Sequence, residues 1–243
     1  ACGNHRGVTV LTIHFSDAGQ SAARTEVRPA VEFQARDTSA PSNGLYRVFG
    51  KRLLDVMVVL LVAPFALILV AVAALLTAMD GHNPFYFQQR VGRHGLTFRL
   101  VKIRTMVTDA DAQLAAHLAA DPEARREWNE KQKLDNDPRI TRVGNFLRRS
   151  SLDELPQLWN VLTGDMSIVG PRPMMVEQQN IYPGTAYYAL RPGITGAWQV
   201  SDRNACSFAG RARFDTEYNS QVSLALDLDI ILRTAGVVMK CTG

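Results

Sequence analysis

Asp153 and Glu154 stand side by side in the stretch "SSLDELPQLWNVLTGDMSIVGPRP", which runs from Ser150 to Pro173. Arg148 and Arg149 lie just upstream, and Arg172 follows between Pro171 and Pro173. Two ionised carboxylates this close gain most from a divalent cation, and their hard oxygen ligands suit Mg²⁺. Arginine suits planar, bidentate binding of phosphate. The two prolines stiffen the backbone on either side of Arg172 and remove its neighbouring donors. Carboxylates set among arginines therefore point to chemistry on a phosphorylated substrate.

The same stretch also has a purely structural reading. Ser151 and Glu154 form the S-x-x-E pattern of a helix capping box. Leu155, Leu158, Trp159 and Leu162 follow at the spacing of an amphipathic stripe, and Gly164 is a good helix stop. The expectation is a helix with both carboxylates in its first turn, where the dipole favours negative charge and lowers carboxylate pKa values. Capping alone explains Glu154 but leaves Asp153 and the upstream arginines without a role.

Further cations stand at two other places. Thr97 to Met106 reads as a strand on which Phe98, Leu100, Lys102 and Arg104 share one face. Neighbouring cations there would clamp phosphate; a solvated edge strand is the plainer alternative. "RPGITGAWQVSDRN" adds Arg191, Gly193, Gly196, Trp198, Arg203 and Asn204, glycine turns with an aromatic and arginines that could receive a nucleotide.

These residues need elements to hold them. Val56 to Met79 contains 24 residues without a charge, roughly 36 Å of helix against a hydrocarbon core of about 30 Å. Length favours a simple span. Two features favour a re-entrant hairpin: Pro64 removes a backbone bond a third of the way in, and basic residues flank both ends. Arg47, Lys51 and Arg52 precede the segment; Arg90, Arg93, Arg99, Lys102 and Arg104 follow it. Positive charge marks the cytoplasmic side. Ala63, before the proline, offers no hydroxyl to satisfy the freed carbonyls. Both topologies stay open. "VTDADAQLAAHLAADPEARREWNEKQKL" reads as solvated helical scaffold, broken at Pro122 with Asp121 as a cap. "SLALDLDIILRTAGVVMK" reads as a helix packed in the core or lying on the membrane surface. Residues 1–45 hold few large apolar side chains and read as a disordered tail. The division expected is thus a tail (1–45), a membrane-inserted helix (46–82) and a small α/β domain (83–243). The fold class is α+β and mostly helical.

Composition narrows the partners. The 243 residues carry a formal charge of +4 and an isoelectric point near 9.1, which favours anionic partners such as lipid headgroups and nucleotides. Three scattered cysteines without a CxxC, and no HExxH, exclude a recognisable zinc site and suit a reducing, cytoplasm-facing setting. Nucleic acid is not expected, because the basic residues form no reading motif. Residue 1 is Ala and the first Met is Met57, so the chain reads as one whose start lies upstream or has been processed.

"KIRTM", "DPRITRVGNFLRRSSLDELPQLWNVLTGDMSIVGPRP" and "RPGITGAWQV" together resemble the bacterial sugar transferase family, the monotopic phosphoglycosyl transferases. The resemblance runs from about Lys51 to the C-terminus and is closest to the short exopolysaccharide-initiating members. It implies transfer of galactose- or glucose-1-phosphate from a UDP-sugar to undecaprenyl phosphate at the inner membrane, with a cytoplasmic catalytic domain. It implies that Asp153 is the nucleophile and that Glu154 serves Mg²⁺ and proton handling. It carries phosphate contacts onto Arg148 and Arg172, and it keeps both cations of Lys102-Ile103-Arg104-Thr105-Met106, where the family usually has Phe in the second place. Two further departures are Ala63-Pro64 for the usual Ser-Pro, and Asp202-Arg203-Asn204 for Gly-Arg-Asn. Substrate contacts are expected from Lys102, Arg104, Arg148, Arg172, Arg191 and Arg203. A homo-oligomer is compatible with the sequence. The rival classes are a membrane-tethered interaction module and a nucleic-acid-binding protein.

Overall fold

The computed structural model describes residues 44–201 and 207–239. Apart from Gly44 and Leu45, the expected tail lies outside the described residues, as does Arg203.

One π-helical turn (Tyr46–Gly50) leads directly into α1 (Lys51–Ala78), which runs through Pro64. Together they form 33 residues of helix, about 50 Å long if straight. The middle of α1 presents Leu60, Leu61, Phe65, Leu67, Ile68, Leu69 and Val72 outward, with no polar face opposite. Such a helix is stable only where something apolar replaces water.

Both ends of α1 are tied to the same folded unit. Near the N-terminal end, Asp55 accepts hydrogen bonds from Ser167 Oγ (2.9 Å) and the Ile168 amide (2.8 Å). Val59 sits in the main core with Leu100, Val161, Met166, Val169, Tyr218 and Ile230. At the other end, Ala73 packs with Ile103 and Leu147 in a second cluster. Arg104 there donates to the Thr77 carbonyl (3.3 Å) and grips both Asp80 carboxylate oxygens at 2.7 Å.

β1 (Phe85–Val91) and β2 (Thr97–Ile103) form an antiparallel hairpin, with Tyr86 opposite Lys102, Gln88 opposite Leu100 and Arg90 opposite Phe98. These six residues share one face, because side chains alternate along paired strands. α2 (Ala110–Ala120) and α3 (Pro122–Lys131) form a satellite hairpin with its own small cluster of Leu118, Ala124 and Leu134. Asp121 caps α3 by accepting from the Glu123 and Ala124 amides, as its position before Pro122 suggested. α4 (Arg142–Arg149) starts at Thr141, whose hydroxyl accepts from the Gly144 amide. A Cβ at Gly144 would meet the Thr105 carbonyl at 2.0 Å, so glycine lets α4 lie directly on the end of the hairpin.

A 3₁₀ segment (Leu152–Gln157) and then α5 (Leu158–Thr163) replace the single helix expected there. Gly164 closes α5 in the left-handed region, φ 91°, as its glycine suggested. β3 (Ser167–Val169) pairs in parallel with β4 (Gly193–Thr195). Gly170, Gly193 and Gly196 approach each other's backbone so closely that any Cβ would fall within 2.3 Å of a main-chain atom. Their glycines serve this close approach rather than a loose turn. α6 (Arg211–Gln221) and α7 (Leu224–Met239) finish the described chain. α7 buries Asp227 and Ile230 but leaves Leu224, Leu228 and Leu232 exposed.

Asp227 is fully buried and accepts from Lys51 Nζ (2.7 Å), Tyr46 Oη (2.5 Å) and Tyr218 Oη (2.5 Å). This cluster holds α7 and α6 against the start of the apolar helix. Removing one partner of a buried ion pair strands the other charge. Asp227→Ala is therefore expected to lower unfolding stability by about 3–5 kcal/mol, read as a fall in melting temperature in detergent micelles. Asp215 in α6 is a second buried carboxylate, pushed up from 3.8 to about 6 by burial, against the opposing effects of the Tyr182 hydrogen bond and Arg211. The folded state thus holds a proton that the unfolded chain releases at lower pH. The associated stability is complete below pH 4 and is lost as pH rises through about 6, by roughly 3 kcal/mol. Asp215→Asn keeps an acceptor for Tyr182 and is expected to flatten the melting-temperature profile between pH 4 and 7 relative to the parent protein.

Candidate active site

Asp153 and Glu154 lie in the 3₁₀ segment between α4 and α5. The backbone enters this turn through Ser151, which takes the left-handed conformation at φ 57° and makes no side-chain cap. The expected capping box is therefore not formed. Glu154 instead faces β2, where its Oε1 accepts from Lys102 Nζ at 2.8 Å, with Arg172 Nη2 at 3.7 Å. The charged partners outcompete a neutral amide for the carboxylate, since a charge-assisted hydrogen bond is roughly twice as strong.

Asp153 points inward and is only 6% exposed. Burial raises its pKa; Lys102 opposes this, Glu154 adds to it, and Arg148 and Arg172 pull it back down. The sequence pattern suggested a helix dipole that depresses both carboxylates. For Asp153 the short 3₁₀ turn offers little dipole, and desolvation dominates. Arg148, in the last turn of α4, sits beside it and donates from Nε to Thr105 Oγ1 (2.8 Å). Its own pKa is lowered by burial, with Asp153 and Asp137 opposing that shift. Nearby, Arg139 and Asp137 form a tight buried pair, Nη2 to Oδ2 2.6 Å, and so add no net charge.

Lys102, Glu154 and Arg172 line a small open cleft together with Arg90, Leu100, Gln157, Pro173, Gly193, Ile194 and Gln199. Arg90 donates to the Pro173 carbonyl (3.2 Å) and to Gln88 Oε1, which ties β1 to the loop carrying Arg172. Four cations thus surround two carboxylates: Arg90 from β1, Lys102 from β2, Arg148 from α4 and Arg172 from the loop after β3. Such a site attracts a polyanion and can neutralise charge that develops during its reaction. Hard carboxylate oxygens of Asp153 and Glu154 suit Mg²⁺ when substrate phosphates and water complete its coordination. Among the described residues no group of three or more His, Cys, Asp or Glu could hold a metal without them.

The structure brings Asp153, Glu154, Lys102, Arg148 and Arg172 together and leaves two candidates elsewhere. Arg104 lies beyond the last residue of β2, bound to Asp80, to the Thr77 carbonyl at the end of α1 and to the Asn83 carbonyl in the turn before β1. It anchors the apolar helix. Arg191 donates from Nε to the Gly164 carbonyl (2.9 Å) at the end of α5, where Arg52 also donates to Val161 and Leu162. Both arginines satisfy open helix-end carbonyls.

Sequence reading missed Arg90, Gln157 and Asn160. Arg90 was noted only as flanking charge, yet pairing β1 with β2 puts it on the face of Leu100 and Lys102. Asn160 is buried and splints β2, its Oδ1 accepting from the Val101 amide (3.2 Å) and its Nδ2 donating to the Arg99 carbonyl (2.9 Å). Gln157 is buried at the pocket wall. The amphipathic stripe is divided: Leu158 packs against the main core and Leu155 is half-buried, but Trp159 is 65% exposed and Leu162 38%.

Residues 46–241 match the family described as "Bacterial sugar transferase". The chain is 45% identical, over 80% of its length, to the "UDP-galactose-lipid carrier transferase" of Erwinia amylovora. It is 44% identical, again over 80%, to the "Undecaprenyl-phosphate galactose phosphotransferase" of Salmonella typhimurium. It spans only 41% of each of those two proteins. The "Exopolysaccharide production protein ExoY" of Rhizobium meliloti is 39% identical, and there the match covers 92% of this chain and 99% of that protein. The match over nearly the whole described chain, with a dyad enclosed by cations at its centre, makes this protein a member of the bacterial sugar transferase family.

Proposed function

We propose that the protein transfers a sugar 1-phosphate from a UDP-sugar to undecaprenyl phosphate, releasing UMP through an aspartyl-phosphosugar intermediate, and so starts an exopolysaccharide repeat unit. The observation that carries this reading is the buried Asp153 beside Glu154, enclosed by more cations than the two carboxylates neutralise. A diphosphate supplies the missing negative charge. Relatives are named as undecaprenyl-phosphate phosphotransferases of galactose in one case and glucose in another, which supports these two UDP-sugars as donors.

A carboxylate oxygen of Asp153 attacks the sugar-bearing phosphorus. The bond from that phosphorus to the bridging oxygen breaks, and UMP departs with the oxygen and its electron pair. An oxygen of the lipid phosphate then attacks the same phosphorus, freeing the Asp153 carboxylate and forming the lipid diphosphosugar. Burial makes the Asp153 oxygen more basic and more nucleophilic, and the surrounding cations keep it available in its charged form. Lys102 and Arg172 hold Glu154 in place while facing the pocket. Mg²⁺, held by Glu154, Asp153 and substrate phosphates, would supply further neutralisation of the diphosphate. Asp153→Asn is expected to cut UMP release by roughly a thousandfold or more and to abolish the adduct seen by mass spectrometry without acceptor. Near-parental release by that variant would remove the nucleophile assignment, and full activity in excess chelator would remove the metal.

The apolar helix sets the depth of this site. Asp55 and Thr77, near opposite ends of α1, both contact the one folded unit. A helix crossing the bilayer would place those ends on opposite sides of a core about 30 Å thick; the two contacts therefore support an α1 that enters and returns on the cytoplasmic face of the inner membrane, though its helix continues through Pro64. The exposed stretch from Leu60 to Val72 then lies in lipid, and the dyad sits at the level of a lipid phosphate. Single cysteines at positions 48 and 82 are expected to label from the cytoplasmic side only. Labelling from opposite sides would establish a true span.

A further inference from the structure

Arg90 carries a charge that the fold leaves unanswered. It projects from β1 on the same face as Leu100 and Lys102, into the pocket that contains Glu154 and Arg172. No carboxylate lies within ion-pair distance of it among the described residues. Its guanidinium is held by neutral oxygens only, the Pro173 carbonyl and Gln88 Oε1, and its buried Nε has no partner. Burial, and then the neighbouring cation Arg172, lower the Arg90 pKa to about 10, with Tyr86, Tyr187 and the more distant Glu154 opposing that shift only in part. Burying a guanidinium without a counter-charge is costly, and a site that keeps one is arranged for an anion that arrives from outside. A neutral Gln, whose amide can also donate to a carbonyl, would tie β1 to the Pro173 loop at lower cost.

Position within the pocket selects which anion. Asp153 has Lys102, Glu154, Arg148 and Arg172 as its charged neighbours and does not itself line the pocket. Arg90 does line it, beside Arg172, Pro173 and Gln199. A displacement at phosphorus places the leaving oxygen roughly in line with and opposite to the attacking one. We propose that Arg90 is a phosphate-contacting residue that takes an oxygen of the departing nucleotide phosphate through its guanidinium fork. This rests on the UDP-sugar reading above and extends it to a residue and a phosphate.

The test measures binding by calorimetry with the full chain in detergent or nanodiscs, using UDP, UMP and uridine as probes. Arg90→Gln is expected to weaken UDP and UMP binding at least tenfold and to leave uridine unchanged. Arg90→Lys, which keeps the charge and most of the packing, is expected to recover part of the UMP affinity but not all. Combining Arg90→Gln with Arg172→Gln is expected to cost more than Arg172→Gln alone. In turnover with UDP-galactose or UDP-glucose, Arg90→Gln is expected to raise the inhibition constant of UMP in step with KM. Equal loss of uridine and UMP affinity would make Arg90 a structural staple and overturn the proposal. So would an Arg90→Gln change that has no further effect once Arg172 is replaced, because Arg90 would then act only through the Arg172 loop. If the parent protein bound neither UDP nor a UDP-sugar, the donor reading itself would fall, a result distinct from parental binding that survives Arg90→Gln.

Discussion

Two carboxylates side by side in a buried turn can stay charged only if positive charge is brought to them, and the architecture follows from that requirement. At low effective dielectric an uncompensated charge is expensive, and so is repulsion between neighbours. No single element can present four long cationic side chains to one point. The chain therefore draws Arg90 from β1, Lys102 from β2, Arg148 from α4 and Arg172 from the loop after β3. Supporting contacts work on these carriers. Asn160 splints the strand that bears Lys102, Thr105 receives Arg148, and Arg90 reaches the carbonyl of Pro173 next to Arg172. Under the proposed function, substrate binding and charge compensation depend on one set of residues, and a diphosphate would complete an electrostatic arrangement already built.

The apolar helix is clamped by polar contacts where its ends leave the apolar stretch. Lys51 with Asp227, and Asp55 with Ser167, hold one end; Arg104 with Asp80 and Thr77 holds the other. Polar interactions are strongest where water is excluded. They fix α1 relative to β2, β3 and α7, the elements that also surround the site. An apolar helix anchored in this way cannot shift without disturbing the strand that carries Lys102. This explains why basic residues at both ends of α1 are structural as well as electrostatic: Arg52 and Arg104 spend their donors on backbone carbonyls and a carboxylate.

The segment after the dyad splits its amphipathic stripe. In a soluble helix the Leu155, Leu158, Trp159 and Leu162 spacing marks the face that packs inward. Here Leu158 does pack against the core, but Trp159 and Leu162 are exposed, while Asp153, Gln157 and Asn160 are buried. α5 packs beside α1, so its outward face adjoins the apolar surface of that helix. Where an apolar surface adjoins one side and a polar site the other, the usual inside-out rule no longer identifies the core.

Much of this was legible in the residues themselves. The uncharged run from Val56 to Met79, the cap at Asp121 and the stop at Gly164 are local signals, set by the hydrophobicity or backbone preference of individual residues. The dyad and its arginines were legible for the same reason, since adjacent carboxylates beside cations are unusual whatever surrounds them. The selection among cations was not legible. Lys102 and Arg104 are equivalent by strand alternation, yet one faces Glu154 while the other, past the end of β2, locks onto Asp80. Arg191 goes to a helix-end carbonyl and Arg90 to the pocket, though their immediate sequences suggest the reverse. The sequence by itself determined which groups are chemically able to act and where the chain meets an apolar medium, because those properties belong to single residues and short runs. Only the tertiary structure decided which charges converge, because long side chains choose partners across strand registers and helix ends that are set by contacts far apart in the chain.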